Sequence, residues 1–185
     1  MVDAALRALT IREVRDEEAE ALGRLMVAVY AGLEGFPTPE EQPAYYQMLA
    51  RIADFREKPQ ARVLVAVEEG GALLGGVVYF GDMAAYGSGG SATRETKASG
   101  IRLLGVDPAR RSLGVGRALT QACIDLAKAS GNTQVILHTT QAMRTAWGLY
   151  ERMGFARSED LDFLQQGFPV FGFRLPLDAD SRKEL

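Results

Sequence analysis

The sequence predicts a fold of the α/β class, of the α+β type, in which helices cover both faces of one mixed sheet. Short apolar runs typical of strands alternate with segments whose apolar residues recur at helical spacing. Residues 135–138 form an uninterrupted apolar run, as expected for a strand that is covered on both sides. The length of 185 residues predicts a single domain over residues 1–185, with a polar tail from about residue 178.

Two of the predicted strands form a hairpin. Residues 63–67 and 72–80 flank a short turn that contains two glycines, which is typical of neighbouring antiparallel strands. Further strands are expected at both ends of the chain and around its central helices. The full set is 8–14, 63–67, 72–80, 99–106, 135–138, 156–163 and 170–177.

Four helices are predicted between these strands. Asp16 is the expected N-cap of the first, whose apolar stripe is formed by Leu22, Leu25, Met26, Val29 and Leu33. A second helix is expected over residues 44–55, and Thr140 is the expected N-cap of the fourth. The third helix has the strongest pattern, with one apolar face formed by Val115, Ala118, Leu119, Ala122, Cys123, Leu126 and Ala127.

Composition excludes several classes of function. The net charge is −3 and the isoelectric point is near 5.3, which argues against nucleic-acid binding because that needs a basic surface. One cysteine excludes an internal disulfide and fits a reducing cytoplasm. The sequence shows no signal-peptide pattern and no apolar run near the ~20 residues of a membrane helix. We therefore expect a cytoplasmic protein without membrane contact.

The segment from Arg111 to Gly116 has the pattern of a phosphate-binding turn. A strand ends, the chain turns through glycines, and a helix begins, so that unpaired N–H groups and a partial positive charge face outward. Gly114 and Gly116 let a phosphate approach the backbone, and Arg110, Arg111 and Arg117 add positive charge. An ordinary glycine turn that binds nothing is the alternative. The patterns of P-loop and dinucleotide-binding proteins are absent.

Two motifs together resemble the GNAT superfamily of N-acetyltransferases. Residues 111–116 match its pyrophosphate-binding pattern R/Q-x-x-G-x-G/A, and residues 146–155 match its later A-x-x-x-Y-x-x-x-G-F signature. The resemblance implies a mostly antiparallel central sheet with a splayed pair of parallel strands, here 99–106 and 134–139. It also implies acetyl-CoA as cosubstrate and a direct attack of an amine on its thioester.

The same resemblance assigns the site residues. The pantetheine arm is expected on the backbone around Leu104 and Val106, and a backbone N–H of that strand is expected to polarise the thioester carbonyl. Tyr150 corresponds to the residue that protonates the departing thiolate in many members, although packing on its helix face is the alternative. The expected contacts of the pyrophosphate are Arg111, Ser112, Leu113, Gly114, Val115, Gly116 and Arg117.

The general base is left open. Many members place a glutamate where this sequence has Gly100. Glu95 and His138 are candidates, but a solvated charge is the stronger interpretation of Glu95, and a histidine in an apolar strand is more often a structural residue. A water relay, or an amine that arrives deprotonated, needs no side chain. No metal site is expected from one histidine and one cysteine, and Cys123 is expected in the core.

The sequence therefore predicts an N-acetyltransferase that acts on a small-molecule or protein amine and can form a homodimer. The alternatives are a coenzyme-A-binding sensor or regulatory module with weak or no catalysis, and an interaction protein that binds no cofactor. The acceptor stays open between an aminoglycoside, a polyamine, an amino acid and a protein amine. Aromatic residues are expected either around the acceptor or in the core, namely Phe36, Tyr45 and Tyr46, whereas Phe168, Phe171 and Phe173 are expected in the core of a strand.

Overall fold

A mixed sheet runs through the computed structural model, which describes residues 9–87, 89–111 and 113–177. Seven strands lie in the order β1-β2-β3-β4-β5-β8-β6, and β7 pairs with β8. The strands are β1 (Leu9–Glu13), β2 (Ala61–Glu68), β3 (Leu73–Phe80), β4 (Ala98–Val106), β5 (Gln134–Thr139), β6 (Ala156–Arg157), β7 (Phe163–Gln165) and β8 (Phe168–Pro176). Only the β4–β5 pair is parallel among the described strands. The predicted fold class is confirmed.

Four α-helices cover the sheet. They are α1 (Ala19–Ala31), α2 (Pro43–Ala50), α3 (Val115–Ala129) and α4 (Arg144–Arg152). Helices α1 and α2 pack on one face, where Leu22, Met26 and Leu49 are fully buried. Helix α3 covers the other face with the predicted apolar stripe, in which Leu119 and Cys123 are fully buried. The predicted core position of Cys123 is confirmed.

Several predicted boundaries differ from the structure. Asp16 is not the N-cap of α1, because residues 16–18 form a separate 3-10 turn and the Asp16 carboxylate accepts a hydrogen bond from Arg56 Nη1 at 2.8 Å. The second helix is broken at Arg51 and continues as a 3-10 segment, Ile52–Glu57. Thr140 does not cap α4, since a turn intervenes in which the Met143 amide donates to the Thr140 carbonyl at 3.1 Å.

The strand predicted at 156–163 is also divided. Residues Ala156–Arg157 pair with β8, a 3-10 turn follows, and β7 begins at Phe163. The turn is held by the Arg157 guanidinium, which donates to both Asp162 carboxylate oxygens at 2.9 and 2.7 Å. This ion pair bends the chain where the apolar pattern alone predicts a continuous strand.

Strand β4 carries a bulge at its centre. Gly105 lies opposite Gly76 and Arg102 opposite Val78, so three residue steps on β4 match two on β3. Leu103 absorbs the extra residue with a φ of +58°, a conformation that costs energy for a branched side chain. As a result, Arg102 and Leu103 both face the α1–α2 side of the sheet, where Arg102 lies over the Phe55 ring.

The two parallel strands separate directly before this bulge. Their pairing runs from Ala98–Gln134 to Ile101–Leu137 and then stops. Beyond this point β4 continues along β3, and β5 continues along β8 as far as Thr139 and Phe171. The backbone of β4 from Arg102 onward therefore has no strand on its β5 side, which opens a gap through the sheet.

No helix in the described ranges is long and apolar enough to cross a bilayer. The single-domain boundary and the cytoplasmic location stay predictions. The predicted polar tail from about residue 178 lies outside the described residues.

The contact between α1 and α2 depends on a glycine. A Cβ atom added to Gly23 would lie 2.0 Å from the Ala50 carbonyl oxygen, which belongs to the backbone and cannot turn away. We expect Gly23→Ala to lower the free energy of unfolding by about 1–3 kcal/mol in urea denaturation, although alanine is the better helix former.

Gly148→Ala is the matched control, because it places the same substitution in the interior of α4. There the nearest atom to the new methyl group is Nη1 of the exposed Arg152 side chain at 3.0 Å, which can move. This variant should gain up to about 1 kcal/mol. Equal effects of the two substitutions would contradict the packing argument.

Candidate active site

A cleft of about 1130 Å³ lies where β4 and β5 separate. Residues 104–106 of β4 line it, together with the start of α3 and the start of α4. Seven of the residues predicted to bind the cofactor line this cleft, namely Leu104, Val106, Arg111, Gly114, Val115, Gly116 and Arg117. Leu113 is exposed and does not line it. Ser112 lies outside the described residues.

The start of α3 presents free backbone amides to the cleft. Gly114 is the N-cap and has a φ of +77°, which glycine adopts without strain. The first bond of the helical ladder runs from the Ala118 amide to the Gly114 carbonyl at 3.0 Å, so the amides of residues 115–117 precede the ladder. A Cβ atom added to Gly116 would lie 3.3 Å from the Leu149 side chain and 3.6 Å from the Val106 side chain. The cleft is therefore narrow at this point. This geometry suits an anion with several oxygens.

Five arginines surround this end of the cleft, and sequence reasoning found only three of them. The Arg110 guanidinium forms an ion pair with the Glu68 carboxylate, to which it donates hydrogen bonds of 2.8 and 3.2 Å. Glu68 therefore neutralises much of the positive charge that Arg110 would bring to the cleft. The others make no ion pair within the described ranges, namely Arg111, Arg117, Arg144 and Arg152. One sequence signal was available for Arg144, because a cation at the first position of a helix opposes the helix dipole.

A second, smaller cavity of about 70 Å³ adjoins the cleft. We call it the inner cavity. It shares five lining residues with the cleft, namely Tyr30, Leu104, Met143, Ala146 and Phe168. Phe36 and Tyr45 line it from the α1–α2 side, and Tyr150 lines it from the α3–α4 side. The gap in the sheet therefore connects the two faces at this point.

Aromatic side chains form much of the wall of the inner cavity. Phe36 and Tyr45 pack at 5.6 Å between ring centroids, which places both of these open candidates at the cavity. Tyr46 does not line it, since it is buried and its hydroxyl donates to the Pro37 carbonyl at 2.6 Å. The core assignment is confirmed for Phe173, whereas Phe168 and Phe171 are only partly buried. Phe168 lines both cavities, and Phe171 lines the cleft.

Tyr150 is both packed and placed at the inner cavity. Its ring is 4% exposed and lies 5.7 Å from that of Phe155. Its hydroxyl makes no hydrogen bond to any residue that the structure describes. Burial raises the pKa of Tyr150 well above its usual range, so the hydroxyl stays protonated and can donate. The two roles weighed for this residue are therefore compatible.

The position where a glutamate base is common is closed here. A Cβ on Gly100 would lie 2.5 Å from Cδ2 of Tyr86 and 2.8 Å from Sδ of Met83. The Tyr86 ring occupies the space that a side chain at position 100 would need. A carboxylate cannot reach the cavity from this point of β4 without displacing that ring.

His138 has both ring nitrogens engaged. Nε2 lies 2.8 Å from the Leu161 carbonyl oxygen, which can only accept, so Nε2 carries the proton. Nδ1 is then the acceptor for the Tyr86 hydroxyl at 2.7 Å. Burial lowers the pKa of His138, which keeps the ring neutral. The Nδ1 lone pair, which a general base would use to accept a proton, thus already accepts the hydrogen bond from Tyr86.

Glu95 is only partly solvated and is not directed at the cavities. Its carboxylate accepts a hydrogen bond from Arg174 Nη2 at 2.7 Å, and its side chain is 27% exposed. The same guanidinium also binds Gln134 and Asp160. Glu95 lines neither the cleft nor the inner cavity. The interpretation as a freely solvated charge is wrong, because Arg174 holds the group.

Comparison with known proteins identifies the family. Residues 26–155 match the acetyltransferase (GNAT) family, and the chain belongs to it. A mycothiol acetyltransferase of Streptosporangium roseum is 40% identical over 57 residues, which are 31% of this chain and 17% of that protein. The match thus spans less than a fifth of the length of this relative.

Solved structures share the fold. An acetyltransferase of the GNAT family from Staphylococcus aureus aligns with a TM-score of 0.70 at 18% identity, over 92% of this chain and 100% of that one. The PaiA N-acetyltransferase of Thermoplasma acidophilum, in complex with coenzyme A, aligns with a TM-score of 0.70 at 13% identity, over 91% and 99%. The predicted family is confirmed, and with it the class of enzyme that the family comprises.

The neutral state of His138 predicts a pH dependence of stability. His138 is the single histidine of the chain, and its pKa lies below the ordinary 6.5 in the folded state. Below pH 6.5 the unfolded chain binds a proton that the folded chain does not, so stability falls as the pH falls toward the folded value. The slope is limited to about 1.4 kcal/mol per pH unit for one proton.

Urea denaturation between pH 7.5 and 5 measures this slope, and His138→Gln should flatten it. Paired carboxylates change the stability only at lower pH. The hydrogen bond from Arg12 lowers the pKa of Glu18 to about 2, so its contribution to stability is fully present above the ordinary pKa of 4.5 and is lost as the pH falls toward 2. An unchanged slope in His138→Gln would contradict the neutral assignment.

Proposed function

We propose that this chain transfers the acetyl group of acetyl-CoA to a primary amine by direct attack. The observation that carries the proposal is the junction of the two cavities in the gap between β4 and β5. An anion-binding helix start lies at the outer end of the cleft, and a protonated tyrosine lies beside its inner end. A cofactor with a diphosphate at one end and a thioester at the other fits this arrangement.

The diphosphate is assigned to the start of α3. The amides of residues 115–117 supply donors, and the guanidinium groups of Arg111 and Arg117 supply charge. Arg144 and Arg152 face the same cleft from α4 and add to its positive field. The family's pattern places Ser112 and Leu113 in the same turn, and their contact with the cofactor stays a prediction.

The pantetheine arm is assigned to the unpaired edge of β4. An extended arm with amide groups can pair with this edge as a missing strand would. Leu104 and Val106 line the cleft there, and the Leu104 carbonyl also accepts the Tyr30 hydroxyl at 2.9 Å. This bond fixes the strand next to the bulge, where a backbone N–H would polarise the thioester carbonyl.

Tyr150 is assigned as the acid. When the amine attacks, the bond between the carbonyl carbon and sulfur breaks, and the hydroxyl proton moves to the departing thiolate; the tyrosinate then regains a proton from the water that takes up the proton of the amine. Its raised pKa keeps this proton available at neutral pH. No side chain is assigned as base, because Gly100 is closed and His138 and Glu95 are engaged. Water takes up the proton of the amine in this proposal.

The proposal is tested by the release of free thiol from acetyl-CoA in the presence of a panel of primary amines. Amine-dependent release supports transfer, whereas binding of acetyl-CoA without release would favour the sensor or regulatory module. A homodimer stays a prediction. Two substitutions test the assigned residues.

Reversing the charge at Arg117 should weaken binding of coenzyme A. We expect Arg117→Glu to raise the Kd about tenfold or more in titration calorimetry, since it removes a charge-assisted donor and adds a repulsive group. Lys128→Glu makes the same change of charge in the last turn of α3, away from the cleft. The control should alter the Kd less than about twofold. Equal effects would rule out the diphosphate assignment.

Removing the Tyr150 hydroxyl should slow the reaction but preserve cofactor binding. We expect Tyr150→Phe to lower kcat about 100-fold, as is usual for loss of a general acid, with an unchanged Kd for coenzyme A. Stability should hold, because the hydroxyl has no hydrogen-bond partner in the described structure. Tyr79→Phe is the contrast: its hydroxyl bonds Ser99 at 2.9 Å outside both cavities, so stability should fall and kcat should not. A normal kcat in Tyr150→Phe would leave Tyr150 as packing alone.

A further inference from the structure

Arg102 lies in the wall of the inner cavity and is held in place there. Its Nη1 donates to the Tyr86 carbonyl at 2.9 Å, and Nη2 contacts Met48 Sδ at 3.7 Å. The guanidinium carbon lies 5.7 and 5.8 Å from the ring centroids of Phe55 and Tyr86. These contacts fix the position of the charge but leave donors of its planar fork without a strong acceptor.

The inner cavity has no negative charge to balance Arg102. No aspartate or glutamate is among the described residues that line it. Nor does any carboxylate in the described ranges come within 4.0 Å of the Arg102 nitrogens. His138, the other ionisable base in the wall, is neutral. A partly buried cation without a counter-charge is costly, and a bound anion would offset that cost.

A second group in the same wall also has no partner. The Thr140 hydroxyl is buried, its residue is 4% exposed, and it makes no hydrogen bond with any part of the chain that the structure describes. Thr140 lines the inner cavity together with Arg102. Buried polar groups are seldom left unpaired in native proteins, so this hydroxyl also points to a polar ligand.

We propose that the acceptor is a free α-amino acid whose carboxylate is bound by Arg102. This inference rests on the proposed function, because it names the acceptor of that reaction. The carboxylate pairs with the guanidinium fork, and the amino group lies toward Leu104 and Tyr150, where the thioester ends. Arg102 and Leu104 both line the inner cavity of about 70 Å³, so a short amino acid bound there can reach both.

The other acceptors fit these observations less well. A polyamine or an aminoglycoside is a polycation and would meet Arg102 without any carboxylate to neutralise it. A protein N-terminus brings an amide where the amino acid brings its carboxylate. The volume of about 70 Å³ equals roughly five water-sized spaces, which favours a small acceptor. The aromatic wall formed by Phe36 and Tyr45 suits an apolar side chain.

The test compares each acceptor with its uncharged counterpart. Leucine, methionine and phenylalanine are assayed beside their carboxamides, with spermidine as a polycation, by thiol release from acetyl-CoA. We expect at least one free acid to exceed its amide in kcat/KM by about 10- to 150-fold, the range for a hydrogen bond to a charged group. Amides or spermidine acetylated as fast as the best acid would overturn the inference.

Substitution of Arg102 shows whether this residue creates the preference. In Arg102→Gln the ratio of kcat/KM for the free acid to kcat/KM for its amide should fall to near one. Arg102→Lys keeps the charge but not the planar fork, so its ratio should be intermediate. Arg24→Gln is the matched control, because Arg24 is exposed on α1 and lines neither cavity. It should retain the ratio of the natural chain. A ratio that persists in folded Arg102→Gln would overturn the inference.

A binding measurement separates this inference from the proposed function. The same acids and amides are titrated calorimetrically into the natural chain and Arg102→Lys, both saturated with coenzyme A. Acid-selective binding that depends on Arg102, without thiol release, would overturn the proposed function and sustain this inference. If amines are acetylated but no acid is preferred, the function stands and the inference is wrong. If no acid is either bound or acetylated, the inference is also wrong.

Discussion

The site depends on the point where β4 and β5 stop pairing. A parallel pair normally continues until one strand ends, but here each strand follows its antiparallel neighbour after Ile101 and Leu137. The bulge at Arg102 and Leu103 accompanies this separation, since its extra residue turns β4 away from β5. The bulge costs conformational energy, because Leu103 adopts a positive φ. The gap exposes strand backbone inside the molecule, and that backbone needs a partner with amide groups.

The direction of each β4 side chain decides which of them reach the two cavities. Gly100, Ile101 and Arg102 alternate regularly, so Gly100 and Arg102 share the α1–α2 side, and the bulge then adds Leu103 to that side. Arg102 lines the inner cavity there, and Gly100 leaves room for the Tyr86 ring. Tyr86 in turn donates a 2.7 Å hydrogen bond to Nδ1 of His138, whose ring is kept neutral by burial. This side of β4 thus closes the usual position of a carboxylate base and brings a cation to the cavity.

The local part of this arrangement was predictable from the sequence, and the tertiary part was not. Residues 111–116 and 146–155 carry short-range signals, because a helix start and a helix face are set by neighbouring residues. Arg102 gave no such signal, since the cavity that it lines is formed by residues far apart in the chain. The broken second helix and the divided strand at 156–163 were missed because side-chain pairs such as Arg157–Asp162 fix those bends.

Unpaired groups around the inner cavity are what distinguish it from the core beside it. Elsewhere in the described structure, buried hydroxyls such as those of Tyr46 and Tyr79 form a hydrogen bond with a fixed partner. Around the cavity, the buried Thr140 hydroxyl has no partner among the described residues, and no described carboxylate pairs with the Arg102 guanidinium. The Tyr150 hydroxyl, at the same cavity, makes no hydrogen bond to a described residue either. Each of these groups lowers the stability of the empty protein. Their convergence on one small space is explained if a polar ligand completes all three, with the tyrosine nearest the thioester and the arginine farther along β4.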